Sequence, residues 1–469
     1  MTSTGRVVVV GGGVSGLTVA YRLRGRASPP DVVVLEAESH VGGKLTTTTV
    51  GGLDLPAGPD SFVARKPWAV ELCRELGLGD LVPPAESGAW LWTERGLVPY
   101  PTGTAFGIPG DVGDVIRWPG LTRRGRRRAL LDLVKAKRRD DEDESLGSLL
   151  RRRLGDEATD RAIAPLLAGL HAGDVDRLSA RATFPELQDW ERSQGSLIRG
   201  AQATRKATDR GADPGPMFLR PREGVAALTD ALARELGPAV RSGATVTGLT
   251  SGDGPGWIVR TDDDQHRRAD AVVLAVPSAV AAGLLDPIAP AAAKELTAIR
   301  AVSTAAVLAV YAEGTGGSLP HGSGFVVPRG AAPMTACTWL SSKWPDPAFG
   351  SRAVLRCFVG ADGEEDVLDA DDEEIVLACA RHLAAVLPLP EEPEQALVVR
   401  WPGAMPQYEV GHLDRVGRIR TELLPGVVVT GPSYDGVGVA DCVRAAGDAA
   451  GAVVEHLRHP TTSERETIG

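Results

Sequence analysis

The chain is short of cysteine, histidine and aromatic residues: five cysteines, eight histidines and 4% Phe, Trp and Tyr in 469 residues. Cys73, Cys337, Cys357, Cys379 and Cys442 are odd in number, scattered, and form no C-x-x-C pair. That pattern fits a reducing cytosol better than a disulfide framework. The histidines show no H-x-x-x-H spacing and do not cluster with the cysteines, so no metal site is expected. The longest apolar run, Ala271 to Leu285, is interrupted by Pro277 and falls short of the ~20 residues a spanning helix needs. The N-terminus opens its first strand at Arg6 and does not read as a signal peptide. A formal charge of −10 argues against nucleic acid as a partner. The expectation is a cytoplasmic chain without a transmembrane segment, with peripheral contact at the inner face of the membrane left open.

What is present begins at residue 6. Arg6 to Val10 (RVVVV) is a β-branched run suited to a buried parallel strand, and it feeds Gly11-Gly12-Gly13-Val14-Ser15-Gly16, a G-x-G-x-x-G turn. Leu17 to Leu23 carry apolar residues at helical spacing. A second strand, Val32 to Leu35, ends in Glu36, twenty residues beyond Gly16. The first glycine permits a tight turn, the second a close approach to pyrophosphate, and the third helix-on-strand packing. Unpaired N–H groups at the helix start attract the pyrophosphate, and Glu36 is placed to accept hydrogen bonds from an adenosine ribose. The unit reads as a dinucleotide site; the alternative is a glycine-rich βα turn without ligand.

At about 150 residues per domain, the length allows two or three units, and 43% apolar residues can fill their cores. Residues 1 to 68 are α/β in character. Residues 99 to 204 look helical and charged: Arg123 to Arg128 (RRGRRR), Lys135 to Arg139, the acidic run Asp140 to Glu144, then Arg151 to Arg153. These are either solvated helix faces with compensating charges, or a basic surface that meets anionic lipid or steers an anionic substrate. Ala201 to Pro216 reads as a polar surface connection. Further on, Gly224 to Leu236 reads as a helix, and Ala244 to Leu249, Trp257 to Arg260 and Ala269 to Val276 as strands. Ala305 to Tyr311, Val354 to Val359 and Ala396 to Arg400 are also strands, with a helix over Glu373 to Leu387. A strand at Gly426 to Thr430 and a helix at Asp441 to Leu457 close the chain. The expected fold is α/β and α+β: a discontinuous Rossmann-like cofactor domain (1–68, 225–290 and 412–469), a mixed-sheet substrate domain (69–98, 205–224 and 291–411), and an inserted helical domain (99–204).

Several further strings carry chemistry. Glu36 is followed by Gly42-Gly43-Lys44, and then by Gly58-Pro59-Asp60-Ser61. Trp401 to Tyr408 (WPGAMPQY), Gly411-His412, Leu424-Pro425-Gly426-Val427 and Gly436-Val437-Gly438-Val439-Ala440-Asp441-Cys442 lie toward the C-terminus. Acid, spacer, Gly-Gly-basic resembles the amine-oxidase and desaturase group of flavoproteins. With His171-Ala172-Gly173-Asp174, Leu178 to Pro185 and Gly195 to Gly200, the chain resembles, over about Arg6 to Leu457, the protoporphyrinogen and coproporphyrinogen oxidases of heme synthesis. The soluble type of Gram-positive bacteria is the nearer likeness. Lys44 stands where many such relatives carry Arg.

The resemblance implies FAD, O2 as acceptor, and a cyclic tetrapyrrole as substrate, oxidised in three two-electron steps with release of H2O2. Coproporphyrinogen III is the expected substrate. Protoporphyrinogen IX is the alternative, followed by the amine and polyene substrates of oxidases and carotenoid desaturases sharing the fold, and by a non-catalytic porphyrin carrier. Implied FAD contacts are Gly11, Gly12, Gly13, Val14, Ser15, Gly16, Glu36, Ala37, Lys44, Gly58, Pro59, Asp60, Ser61, Val246, Trp401, Val437, Gly438 and Val439. The last glycine-rich turn opens a helix whose N-terminus faces the flavin's N1–C2=O edge. Arg65 and Lys66 are the candidate partners of a propionate, set against a reading as exposed cations at a helix start. No Ser-His-Asp, Cys-His or paired-carboxylate set is recognisable, and no protein base is assigned. Tyr408 and His412 are read as structural, and Tyr434 as one possible wall of an amine-oxidase cage. Pathway logic adds a transient contact with ferrochelatase.

Overall fold

The computed structural model describes residues 5–209, 215–252, 254 and 256–459. Its organising element is a five-stranded parallel sheet in the order Val240–Arg241, Asp31–Leu35, Arg6–Val10, Ala271–Leu274, Val427–Val429. Both faces are covered, as a parallel sheet requires. Val7 and Val9 meet one core, with Leu17 and Val19 of the helix Val14–Arg24, Leu228 and Leu232 of Ala226–Leu236, and Val443 and Ala446 of Val439–Arg458. Val8 and Val10 meet the other core, under the meander Val246–Ser251, Trp257–Thr261, His266–Ala269 and the helices Ser278–Leu285 and Pro290–Thr297. Alternate valines of one strand thus serve two cores, the period-2 rule applied to both faces.

A seven-stranded mixed sheet forms the second layer, in the order Gln395–Pro406, Ala301–Val310, Val354–Val359, Ala336–Trp339, Gly324–Val326, Trp90–Thr93, Gly96–Pro99. Only the Gly324–Val326 pairing with Trp90–Thr93 is parallel. The helix Asp372–Val386 packs on it through Ile375, Cys379 and Leu383. Helices between Val112 and Asp209 gather around Leu149, Leu150, Ile163, Leu178 and Leu197. The expected mixture of α/β and α+β architecture is borne out.

Two local expectations are corrected. The span Ala269 to Val276 is two strands, because Asp270 leaves the ladder: its N–H donates to the Arg6 carbonyl and its carboxylate accepts the Arg6 N–H at 2.6 Å. The segment Ala201 to Pro216 is helical as far as Asp209, continuing the helix Leu197–Asp209. Its first nine residues contain neither Gly nor Pro, and Ala201 is buried in the helical core; residues 210–214 of that reading lie outside the described residues.

Much of the basic run is answered from within. Arg151 pairs with Asp160 and Asp176, and Arg152 with Glu144 and Glu191. Arg128 caps the carbonyls of Arg151, Arg152 and Arg153, the orphan acceptors at the end of Leu146–Leu154. Fully buried Arg153 meets equally buried Asp132 at 2.5 Å. Compensated charge on helix faces accounts for these residues.

Candidate functional site

The G-x-G-x-x-G turn sits at the carboxyl end of the central strand, between Leu35 and Ala275. Gly11 has φ +103, and a Cβ there would meet the Ala275 carbonyl oxygen at 2.5 Å. At Gly16 a Cβ would lie 1.9 Å from the Gly11 carbonyl oxygen. These two glycines are demanded by the protein's own packing. Gly13 is not: its φ is −75, allowed to any residue, and a Cβ would meet nothing within 4 Å. It is the N-cap of Val14–Arg24 and supplies no side-chain cap, so the first amides of that helix are left without a side-chain acceptor. Gly42 and Gly43 close against the turn, through the Gly42 N–H donated to the Gly12 carbonyl at 2.9 Å and a bridge between Gly13 and Gly42.

Glu36 is held at the end of the second strand. Its Oε2 accepts the Gly12 N–H at 2.6 Å and its Oε1 the Glu38 N–H at 2.9 Å. Ala37 beside it is exposed, and the chain just before Val246 is tied to the same corner by Ala244 N–H to the Glu36 carbonyl and Gly243 N–H to the Glu38 carbonyl, both 2.8 Å. Lys44 is partly buried with no acceptor in hydrogen-bonding distance among the described residues, and burial lowers the pKa of its ammonium. A desolvated cation without an anion is costly unless a ligand supplies one. An unfilled approach at Gly13, free helix amides, an anchored acid and an unpaired lysine fit a dinucleotide's pyrophosphate and ribose.

The Gly58 to Ser61 loop is clamped from the seven-stranded sheet. Buried Asp60 accepts Arg356 Nη2 at 2.9 Å, Lys343 Nζ at 2.9 Å and Ser61 Oγ at 2.8 Å. Burial alone would raise the Asp60 pKa; the two cations and the hydrogen bonds reverse this and hold the carboxyl well below the usual range. Arg356 also donates to the carbonyls of Pro56 (3.0 Å) and Gly58. A Cβ at Gly58 would lie 1.8 Å from the Lys44 carbonyl oxygen, so this loop and the Gly42 to Lys44 loop touch through backbone.

Val437 and Gly438 precede the helix Val439–Arg458, whose N-cap Gly438 offers no side chain. Tyr408 fixes that approach: its hydroxyl donates to the Pro432 carbonyl (2.6 Å) and accepts the Gly436 N–H (2.8 Å). His412 stacks on the Tyr408 ring at 3.8 Å between centroids. Burial pushes the pKa of His412 down to about 4, and burial reinforced by His412 does the same to His171. Tyr434 is fully buried in the core beneath the parallel sheet rather than walling a cage. Trp401 is partly buried against a cluster containing Leu308, Leu340 and Trp344.

The two substrate candidates part company. Lys66 Nζ lies 2.8 Å from both carboxylate oxygens of Asp441, in the first turn of the C-terminal helix. Arg65 is exposed and has no such partner among the described residues. Sequence reasoning passed over Arg220, Lys343 and Arg356. They gather around Asp60 from three separate stretches, and no local motif marks them.

Parallel sheet, glycine turn, the anchored acid at the end of the second strand and the second glycine-lysine loop together define a dinucleotide-binding flavoprotein. Residues 14–454 match the family described as flavin containing amine oxidoreductase. A coproporphyrinogen III oxidase of Bacillus subtilis (strain 168) is 34% identical over 450 residues, covering 93% of this chain and 95% of the relative. One from Mycobacterium tuberculosis (strain ATCC 25618 / H37Rv) is 35% identical, covering 96% and 97%. The crystal structure of a candidate protoporphyrinogen oxidase from Exiguobacterium sp. 255-15 superimposes with TM-score 0.85 at 32% identity, over 97% of this chain and 99% of that one. The chain belongs to the flavin-containing amine oxidoreductase family, in the branch that holds the coproporphyrinogen III oxidases. The expected cofactor, FAD, accords with a flavin-containing family. No helix of the described residues is long and apolar enough to cross a membrane.

Proposed function

We propose that this chain oxidises coproporphyrinogen III to coproporphyrin III, with O2 as acceptor, in the cytoplasm. The observation that carries the reading is the near full-length similarity to coproporphyrinogen III oxidases joined to an intact cofactor cradle. FAD supplies the chemistry when bound, accepting two electrons in each turn. The chain's own residues do the rest. The amides after Gly13 and the Lys44 ammonium would answer the pyrophosphate, Glu36 and the chain near Val246 would take the adenosine end, and Gly58 to Ser61 with Trp401 would border the ring. The uncapped helix start at Val437 to Val439 would offer positive potential to the bound cofactor.

Arg65 is the cation we assign to a substrate propionate; Lys66 serves instead to tie its loop to Asp441. Position is the main task, since holding a reactant at roughly 3–3.5 Å from its acceptor removes much of the barrier. No protein base is assigned, because the pyrrole nitrogens can release protons to solvent. The proposed division into cofactor, substrate and helical units is supported by the parallel sheet, whose strands come from all three cofactor segments. The ladder between Phe62–Val63 and Phe218–Pro221 crosses the boundary.

The test is anaerobic bleaching of the oxidised-flavin band by coproporphyrinogen III and, separately, protoporphyrinogen IX, followed by readmission of O2 with porphyrin fluorescence and peroxide recorded. Faster bleaching and tighter saturation with the four-carboxylate substrate is the expected outcome. No bleaching by either sinks the reading and sends the search to amines and polyenes. A transient contact with ferrochelatase is tested by whether that enzyme's presence speeds product release.

A further inference from the structure

The cluster beside the Gly58 to Ser61 loop is rich in donors and poor in acceptors. Asp60 is the one buried carboxylate there, and Arg356 and Lys343 already occupy it. Arg220 stands next to them with no carboxylate in ion-pairing distance among the described residues, its guanidinium stacked 4.3 Å over the Trp344 ring. Arg220 Nε, Arg356 Nε and Trp344 Nε1 are all buried N–H donors without an acceptor. Burial lowers the Arg220 pKa, and the nearby Asp60 and Asp346 carboxylates only partly restore it. Buried donors are almost always satisfied, and a desolvated cation calls for an anion. Among the described residues no carboxylate forms an ion pair with Arg220.

Strand register says which way the cluster faces. Phe62 pairs with Leu219 and Val63 with Phe218, which sets Ser61 opposite Arg220. Alternation puts Phe62 and Leu219 toward the core under the parallel sheet and turns Phe218 and Arg220 to the other side, toward Lys343 and Trp344 of the second layer. Ala64 N–H still donates to the Met217 carbonyl at 2.9 Å, and Arg65 lies in the turn that follows the strand. A monocarboxylate would engage one cation; a macrocycle carrying carboxylates on more than one edge can engage both.

We propose that Arg220, backed by Lys343 and Trp344, binds a second carboxylate of the substrate and discriminates a four-carboxylate from a two-carboxylate porphyrinogen. The assignment rests on the function proposed above. A guanidinium forks onto a carboxylate through two parallel N–H bonds, which a point-charge lysine reproduces only in part.

The experiment compares holoenzyme of wild type, Arg220→Ala, Arg220→Gln and Arg220→Lys with coproporphyrinogen III and with protoporphyrinogen IX. FAD content and the visible flavin spectrum are recorded for each, together with the Kd for coproporphyrin III from fluorescence quenching. Arg220→Ala should raise KM for coproporphyrinogen III and weaken coproporphyrin binding about tenfold, with kcat within about twofold and a smaller change for protoporphyrinogen IX. Arg220→Lys should recover part of the loss at unchanged FAD content, and Arg220→Gln keeps the test open if the alanine variant does not fold. Unchanged KM for both substrates overturns the proposal. So does an equal rise for both accompanied by lost or spectrally altered FAD, which would make Arg220 a cofactor residue. Wild type that turns over neither porphyrinogen overturns the functional reading itself; wild type active beside unaffected variants overturns the role of Arg220 alone.

Discussion

Alanine at Gly13 and alanine at Gly58 should fail in opposite ways. At Gly13 the backbone conformation suits alanine and the added methyl meets no protein atom within 4 Å. Removing a glycine favours the fold by about 0.4–1 kcal/mol through the unfolded chain, while alanine is a poorer N-cap by a similar amount. Stability without cofactor should therefore stay within about 1 kcal/mol of wild type. The methyl would stand where the pyrophosphate has to approach, an overpacking that typically costs about 1–3 kcal/mol, or roughly a 5- to 150-fold loss of FAD affinity. At Gly58 the methyl would lie 1.8 Å from the Lys44 carbonyl oxygen, so backbone must move and the fold itself should lose at least about 2 kcal/mol. The assay is denaturant unfolding across a series of FAD concentrations, with flavin fluorescence titration for affinity. Ligand stabilisation grows as RT ln(1 + [FAD]/Kd), so Gly13→Ala should match wild type without FAD and fall behind it by about 1–3 kcal/mol at saturating FAD, whereas Gly58→Ala should be deficient already without FAD. A Gly13→Ala protein that binds FAD as wild type does, or that is as unstable as Gly58→Ala at every FAD concentration, would refute the reasoning.

Three further outcomes follow from the same geometry. Arg65→Ala should raise KM for coproporphyrinogen III several-fold at near-constant kcat, whereas Lys66→Ala, by freeing Asp441, should weaken FAD retention more than substrate binding; steady-state kinetics and bound-flavin content decide, and reversed effects count against the assignment. Because burial lowers the Lys44 pKa, the ammonium proposed to answer the pyrophosphate is lost at a less alkaline pH than an exposed lysine would be; FAD affinity should fall as pH rises through that lowered value, and Lys44→Met should flatten the profile in an FAD titration against pH. His171 and His412 are held neutral with values near 4, below the ordinary 6.5. The unfolded chain binds more protons in that window, so stability should fall as pH drops from about 6.5 to 4, by about 3 kcal/mol at most per histidine, and His412→Gln should reduce the slope of midpoint against pH.

Legibility differed by kind of signal. The cofactor half could be read because its parts are local: a β-branched strand, three glycines at set spacing, a helix and an acid all fall within thirty-one residues, Arg6 to Glu36. The helix at the C-terminus was read from Asp441 and begins at Val439, a difference of the order that end fraying produces. The connection at Ala201 to Pro216 was misread because its polar residues suit a surface helix as well as a loop. Burial of Ala201 against the helical core decided between them.

By itself, the sequence determined the elements whose causes lie within a few neighbours: which strands are buried on both faces, which turn needs glycine, and where an acid closes the second strand. Only the tertiary structure decided the partners. It separated adjacent Arg65 and Lys66 by giving Lys66 to Asp441, 375 positions away. It also brought Asp60 to Lys343 and Arg356, and set Arg220 beside them without an anion of its own. Charge pairing acts through space at a few ångströms and depends on burial, and neither distance nor burial is written along the chain.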